Sequence, residues 1–126
     1  MALSKARVHT TLPASDLERA RNFYAEKLGL TPSSETPAGL FYNCADGSRF
    51  FLFPSRGTAS GTHTQIGFSV ADIEAEVADL KSRGAVLEEY DLPGFKTEGG
   101  IATVGALKSA FVKDSEGNLL GLVQLP

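Results

Sequence analysis

The feature that most narrows the fold is a duplication. The stretch Ser15 to Leu30, SDLERARNFYAEKLGL, is rewritten about 56 residues later as Val70 to Gly84, VADIEAEVADLKSRG. In the first copy Leu17, Ala20, Tyr24 and Leu28 recur at spacings of three and four, which makes one apolar stripe down a helix. Ser15 with Glu18 three residues on has capping-box spacing, and Gly29 closes the far end. In the second copy Asp72 is the expected cap, Ile73, Val77 and Leu80 the stripe, and Gly84 the stop. Each stripe has to lie on an apolar surface, most simply a sheet, so strands are expected around each helix.

The chain supplies them twice. Arg7 to Leu12 alternates, with Val8, Thr10 and Leu12 on one side and Arg7, His9 and Thr11 on the other, and Pro13 is expected to end the strand. Thr31 to Gly39 reads as a loop with room for a short strand. Leu40–Cys44 and Arg49–Phe53 flank Ala45-Asp46-Gly47-Ser48, a hairpin signal, and Pro54 stops the second run. Ser55 to Thr62, SRGTASGT, is a small polar linker. Thr64 to Val70 then alternates, Ile66, Phe68 and Val70 against Gln65, Gly67 and Ser69. After the second helix Ala85 to Tyr90 reads as a strand. Asp91 to Gly105, with glycines at 94, 99, 100 and 105, reads as a long mobile loop, expected to close as a lid with Tyr90 at its base and Phe95 within it. Ser109–Lys113 and Leu119–Gln124 form a last hairpin around Asp114 to Asn118. The expected organisation is a single α+β domain over 1–126, with module one at 7–54, a linker at 55–62 and module two at 63–125.

Composition removes several function classes. A chain of 126 residues, 42% of them hydrophobic, is long enough for one sizeable core. A net charge of −3 without any Lys/Arg cluster argues against a nucleic-acid footprint. Cys44 is the only cysteine, so an intrachain disulfide and a cysteine-rich zinc site are both excluded, which suits a reducing compartment. With neither an adjacent base nor a positive neighbourhood, Cys44 reads as buried filler rather than a nucleophile. No run approaches the roughly 20 apolar residues that span a bilayer, and MALSKARVHTTL lacks the apolar core of a signal peptide. The expectation is a cytoplasmic protein without nucleic-acid or membrane partners.

The two βαβββ modules, the helix Asp16-Leu-Glu-x-Ala-x-x-Phe-Tyr-x-x-x-Leu-Gly-Leu30 and the ending Phe111-Val-Lys-Asp-Ser-Glu-Gly-Asn-Leu-Leu-Gly-Leu122 together resemble the vicinal oxygen chelate superfamily. That superfamily holds glyoxalase I, extradiol dioxygenases, fosfomycin resistance proteins and bleomycin resistance proteins. The resemblance implies tandem modules whose curved mixed sheets enclose a cleft. It also implies four strand positions that face a divalent metal in the metal-dependent members: His9 and Gln65 on the first strands, Leu52 and Gly121 on the last. Imidazole and amide oxygen can coordinate a metal; leucine and glycine side chains cannot, and Phe51 or Phe53 would serve no better. The ligand set is therefore incomplete, and the expectation is no cofactor, with His9 and Gln65 the residues a metal would use.

The function so implied is binding or sequestration of a small, partly aromatic molecule in a cleft formed by His9, Thr11, Tyr42, Phe50, Leu52, Gln65, Tyr90, Phe95 and Gly121. The alternative is a metal-dependent glyoxalase-like lyase or dioxygenase with a reduced ligand set, and the sequence leaves open whether any reaction is catalysed. A homodimer is expected from the resemblance, and because each module leaves strand edges and one sheet face to be covered.

Overall fold

In the computed structural model, which describes residues 3–126, each helix lies over its own mixed sheet. Module one runs β1 (Thr10–Ala14), α1 (Leu17–Phe23), β2 (Ser34–Thr36), β3 (Gly39–Asn43) and β4 (Arg49–Pro54), with the strands in the order β1-β4-β3-β2. Module two runs β5 (Thr64–Ser69), α2 (Ile73–Ser82), β6 (Asp91–Leu92), β7 (Phe95–Glu98), β8 (Ile101–Val104), β9 (Leu107–Lys113) and β10 (Leu119–Gln124), in the order β5-β10-β9-β8-β7-β6. The first strand of each module pairs parallel with its last, and the remaining pairs are antiparallel. The βαβββ plan is thus present twice, lengthened in module two by one extra hairpin. No helix among the described residues is long and apolar enough to cross a membrane.

Both helix stripes are where the periodicity puts them. Ala20, Tyr24 and Ile73 are fully buried, and Val77 and Leu80 nearly so. Asp72 caps α2 by accepting from the Ala75 amide at 3.2 Å. On α1 the cap is Asp16, which accepts from Arg19 N at 3.0 Å, and not Ser15, whose hydroxyl is drawn away to Glu116. Beyond Phe23 the helix widens into a π-turn over Tyr24–Leu28 and ends at Gly29, whose φ of +70° suits a residue without a Cβ.

Three strand expectations need correction. β1 starts at Thr10 and continues through Pro13 to Ala14; an edge strand bordered only by β4 has one side on which proline's missing N–H costs nothing. Ala85 to Tyr90 is not a strand. Among the described residues its backbone pairs with β9 through the Leu87–Val112 bridge and the Glu88 amide on Phe111 alone, beyond the point where β8 has taken that edge. Asp91 to Gly105 is no loop but the meander β6-β7-β8. Its glycines turn the hairpins, with φ of +76° at Gly94, +60° and +88° at Gly99 and Gly100, and +61° at Gly105. A segment pinned into a six-stranded sheet is no free lid. Gly94→Ala tests this: a Cβ there meets nothing within 4 Å, so only the backbone conformation is penalised. The urea midpoint should fall by the equivalent of about 1 kcal/mol; an unchanged midpoint would restore the mobile loop.

The core is shared by both modules. Leu12, Leu40, Tyr42, Phe50 and Leu52 of the first sheet join Ile66, Leu120 and Leu122 of the second in one buried cluster. Tyr24 packs 5.5 Å from Tyr42 and 5.7 Å from Phe50, and Phe50 meets Phe68 edge-on at 6.1 Å. A polar clamp completes the junction. Asp114, in the β9–β10 turn, accepts from the Tyr24 hydroxyl (2.8 Å), from Asn118 Nδ2 (2.8 Å) and from the amides of Glu116 and Asn118 (2.8 and 2.9 Å). Asn118 Nδ2 also donates to the Pro13 carbonyl at 2.9 Å. Glu116 accepts from Arg19 Nε (2.8 Å) and Nη2 (3.0 Å), from the Ser15 hydroxyl (3.1 Å) and from the Asp16 amide (3.0 Å). Because the helix-bearing sides of both sheets are buried against each other, their other faces are turned outward.

Candidate functional site: two outward aromatic faces

Strand parity decides which side chains those outward faces carry. In module one, Thr11 is in register with Phe51, Pro13 with Phe53, and Phe41 with Phe51, all on the face away from α1. Phe41 and Phe51 lie 4.4 Å apart between ring centroids, and Phe51 and Phe53 are near-parallel at 6.3 Å. His9, just before β1, sets its ring edge-on to Phe41 at 5.8 Å. Arg49, at the start of β4, lays its guanidinium carbon 4.1 Å from the Phe41 centroid. The three phenylalanine rings are only half-buried, and His9 is exposed.

Module two has a matching cluster. Phe111 of β9 packs 5.6 Å from Tyr90 and 6.0 Å from Phe95, and Tyr90 and Phe95 are 6.0 Å apart. Gly121 lies opposite Phe111 in register; a Cβ there would crowd the Thr64 methyl at 3.0 Å and touch the Phe111 ring at an ordinary 3.6 Å, so glycine makes room for Thr64 beside that ring. Gln65 has the parity of Gly67 and Ser69 on β5; its Oε1 is buried and has no hydrogen-bond partner among the described residues. An unpaired buried amide oxygen is costly and is satisfied by whatever donor arrives there.

Of the expected cleft residues, His9, Thr11, Gln65, Tyr90, Phe95 and Gly121 are on these faces, in two groups, one on each module. Among the described residues no ring pair joins the clusters; the one ring contact between modules is Phe50–Phe68, in the core. Tyr42, Phe50 and Leu52 are corrected: they are 1%, 1% and 0% exposed and face α1. Tyr42 stacks on Phe50 at 4.7 Å, its hydroxyl has no hydrogen-bond partner among the described residues, and burial pushes its pKa up to about 12, so it stays a neutral core phenol. Phe41, Phe51, Phe53, Arg49 and Phe111 take the outward places instead. Phe111 could have been found from its place opposite Gly121 in the final hairpin.

The donors for a metal are sparse. Leu52 is turned into the core, and its outward neighbours Phe51 and Phe53 carry no donor atom. Gly121 has no side chain, which leaves an exposed imidazole and one amide oxygen, in different modules. Among the described residues no three His, Cys, Asp or Glu side chains lie close enough to share an ion. This donor set does not fit a resident divalent metal. Of the loop carboxylates, Glu88 lies 3.5 Å from Lys113, and Glu89 accepts from the Thr97 hydroxyl. Burial pushes the half-buried Cys44 thiol up, away from the reactive thiolate. Cys44 borders an apolar cavity of about 170 Å³ between the modules, lined also by Leu28, Phe68, Leu80 and Leu122.

Comparison with known proteins agrees with this architecture. The family model for the Glyoxalase/Bleomycin resistance protein/Dioxygenase superfamily matches residues 6–122. An uncharacterized protein of Bacillus subtilis (strain 168), YurT, is 29% identical over 93% of this chain and 97% of its own length. Among solved structures, a glyoxalase/bleomycin resistance protein/dioxygenase from Alicyclobacillus acidocaldarius is similar with a TM-score of 0.68 at 22% identity, over 99% of this chain and 95% of that one. TnmS3, an antibiotic binding protein from Streptomyces sp. CB03234, is similar with a TM-score of 0.64 at 22% identity, over 96% and 98%. With a family model spanning nearly the whole chain and two βαβββ modules in place, the protein belongs to the Glyoxalase/Bleomycin resistance protein/Dioxygenase superfamily.

Proposed function

We propose that this protein binds a small, planar, partly aromatic molecule without a resident metal, in a cleft made by module one of one copy and module two of a second. The observation that carries this is the pair of half-buried aromatic clusters, Phe41-Phe51-Phe53 and Tyr90-Phe95-Phe111, one on each module and both outside the shared core. Contiguous exposed rings mark binding or association surfaces. Since one chain carries both faces, one on each module, a two-fold pair is the simplest closed assembly that joins them, and it makes two equal sites. The guest would lie between rings, with the Gln65 amide and the His9 imidazole as orienting polar groups. The fold likeness to an antibiotic binding protein supports the same class.

Light scattering at micromolar concentration should give twice the 13.3 kDa chain mass. Phe111→Asp should return the monomer and abolish binding of an aromatic probe such as 1-naphthamide, while the chain stays folded, since Phe111 is outside the buried core cluster. A monomeric wild type that still binds the probe would overturn the composite cleft. The competing metal-dependent lyase or dioxygenase is separated by elemental analysis: about one equivalent of nickel, zinc, iron or manganese per site, lost in His9→Ala, would select it.

A further inference from the structure

Within that reading, we infer that the guest carries a negative charge beside its planar body, held by Arg49. Among the described residues the strand register places no carboxylate on module one's outward face. Glu35 pairs with Leu40 on the opposite face and meets Arg21 there, while Glu18 and Glu26 belong to the helical segment. The same face carries two groups able to bear positive charge, Arg49 and His9, in a chain whose net charge is −3. Arg49 makes no ion pair among the described residues. Its guanidinium carbon lies 4.1 Å from the Phe41 centroid, and its N–H groups make no hydrogen bond among the described residues, so free donors are already placed beside the rings for a carboxylate to meet. Toward β5, Arg49 also borders a groove of about 350 Å³, but that groove contains Asp46, which disfavours an anion there. The anion therefore belongs on the ring side. An aromatic carboxylate or a comparable planar acid satisfies all these conditions: its body on the Phe41–Phe51–Phe53 ladder, its oxygens on Arg49.

Isothermal titration of the purified protein with 1-naphthoate and with neutral 1-naphthamide tests this, in wild type, Arg49→Gln and Arg49→Lys. Wild type should prefer naphthoate by about tenfold, as one charge-assisted pair supplies. Arg49→Gln should bring the two probes within about twofold by weakening naphthoate alone. Arg49→Lys should keep part of the preference. Arg49 is exposed, so neither variant threatens the fold. Equal affinities in wild type, or a preference that survives in Arg49→Gln, would remove the anion site while leaving the aromatic cleft standing. Failure of both probes to bind would remove both.

Discussion

Asp114→Ala should lower the free energy of unfolding by about 3–4 kcal/mol. The carboxylate accepts four hydrogen bonds inside the protein, two from backbone amides of its own turn, one from Asn118 Nδ2 and one from the Tyr24 hydroxyl of the other module. Alanine removes every acceptor at once. The Tyr24 hydroxyl is then stranded in a site where no water reaches it, and leaving a buried donor unpaired costs about 1–3 kcal/mol. The Asn118 side-chain amide keeps only its bond to Pro13. For a chain of this length the melting temperature should drop by about 10–15 °C. Asp114→Asn keeps one acceptor oxygen and should cost less, about 1–2 kcal/mol. Urea unfolding measures both, and a loss below about 1 kcal/mol for the alanine variant would show that the apolar core alone aligns the modules.

The role of that turn also marks the boundary of what could be read from the sequence. Local signals were legible: Gly29 and Gly84 as helix stops, Asp72 as a cap, the Asp46-Gly47 hairpin, and the buried stripes of both helices. Each depends on residues a few positions apart. The Asp114–Asn118 turn was legible only as a family signature and a hairpin, because its partners Pro13, Ser15, Arg19 and Tyr24 lie roughly a hundred residues away and no spacing rule joins them.

Parity failed for a different reason. In Phe41-Tyr42 and Phe50-Phe51 both faces of the hairpin are aromatic, so alternation cannot say which side meets α1, and a shift of one residue exchanges core for cleft. The structure settles it through Leu12, whose register with Leu52 commits Leu52, Phe50 and Tyr42 to the core. The glycines at 94, 99, 100 and 105 misled in the same way. Glycine is demanded both by mobile loops and by left-handed turns, and composition does not separate the two.

Glu116 makes the clamp sensitive to acid in a way that can be isolated. Its bidentate bond from Arg19, helped by the Asp16 amide and the hydroxyls of Ser115 and Ser15, holds the carboxyl at about 2, against an ordinary 4.5. A carboxylate whose pKa is depressed on folding contributes stability that is complete above the unfolded value and disappears as pH falls through the folded one, so the window here is pH 4.5 to 2. The full shift corresponds to roughly 3 kcal/mol. Arg19 is 53% exposed, and screening by water reduces this to about 2 kcal/mol. Glu116→Gln keeps the shape and one acceptor but removes the charge, so wild type should exceed it by about 2 kcal/mol near pH 6. By pH 3 that gap should narrow by roughly 1–2 kcal/mol, because the unfolded wild-type chain has by then taken up at this carboxyl a proton that the folded one still resists and that the amide never binds. Every other carboxylate titrates alike in both proteins and cancels in the difference. Urea titrations at pH 6 and pH 3 measure the gap directly, and one that stays constant between them would place the origin of the clamp's strength in packing and neutral hydrogen bonds rather than in charge.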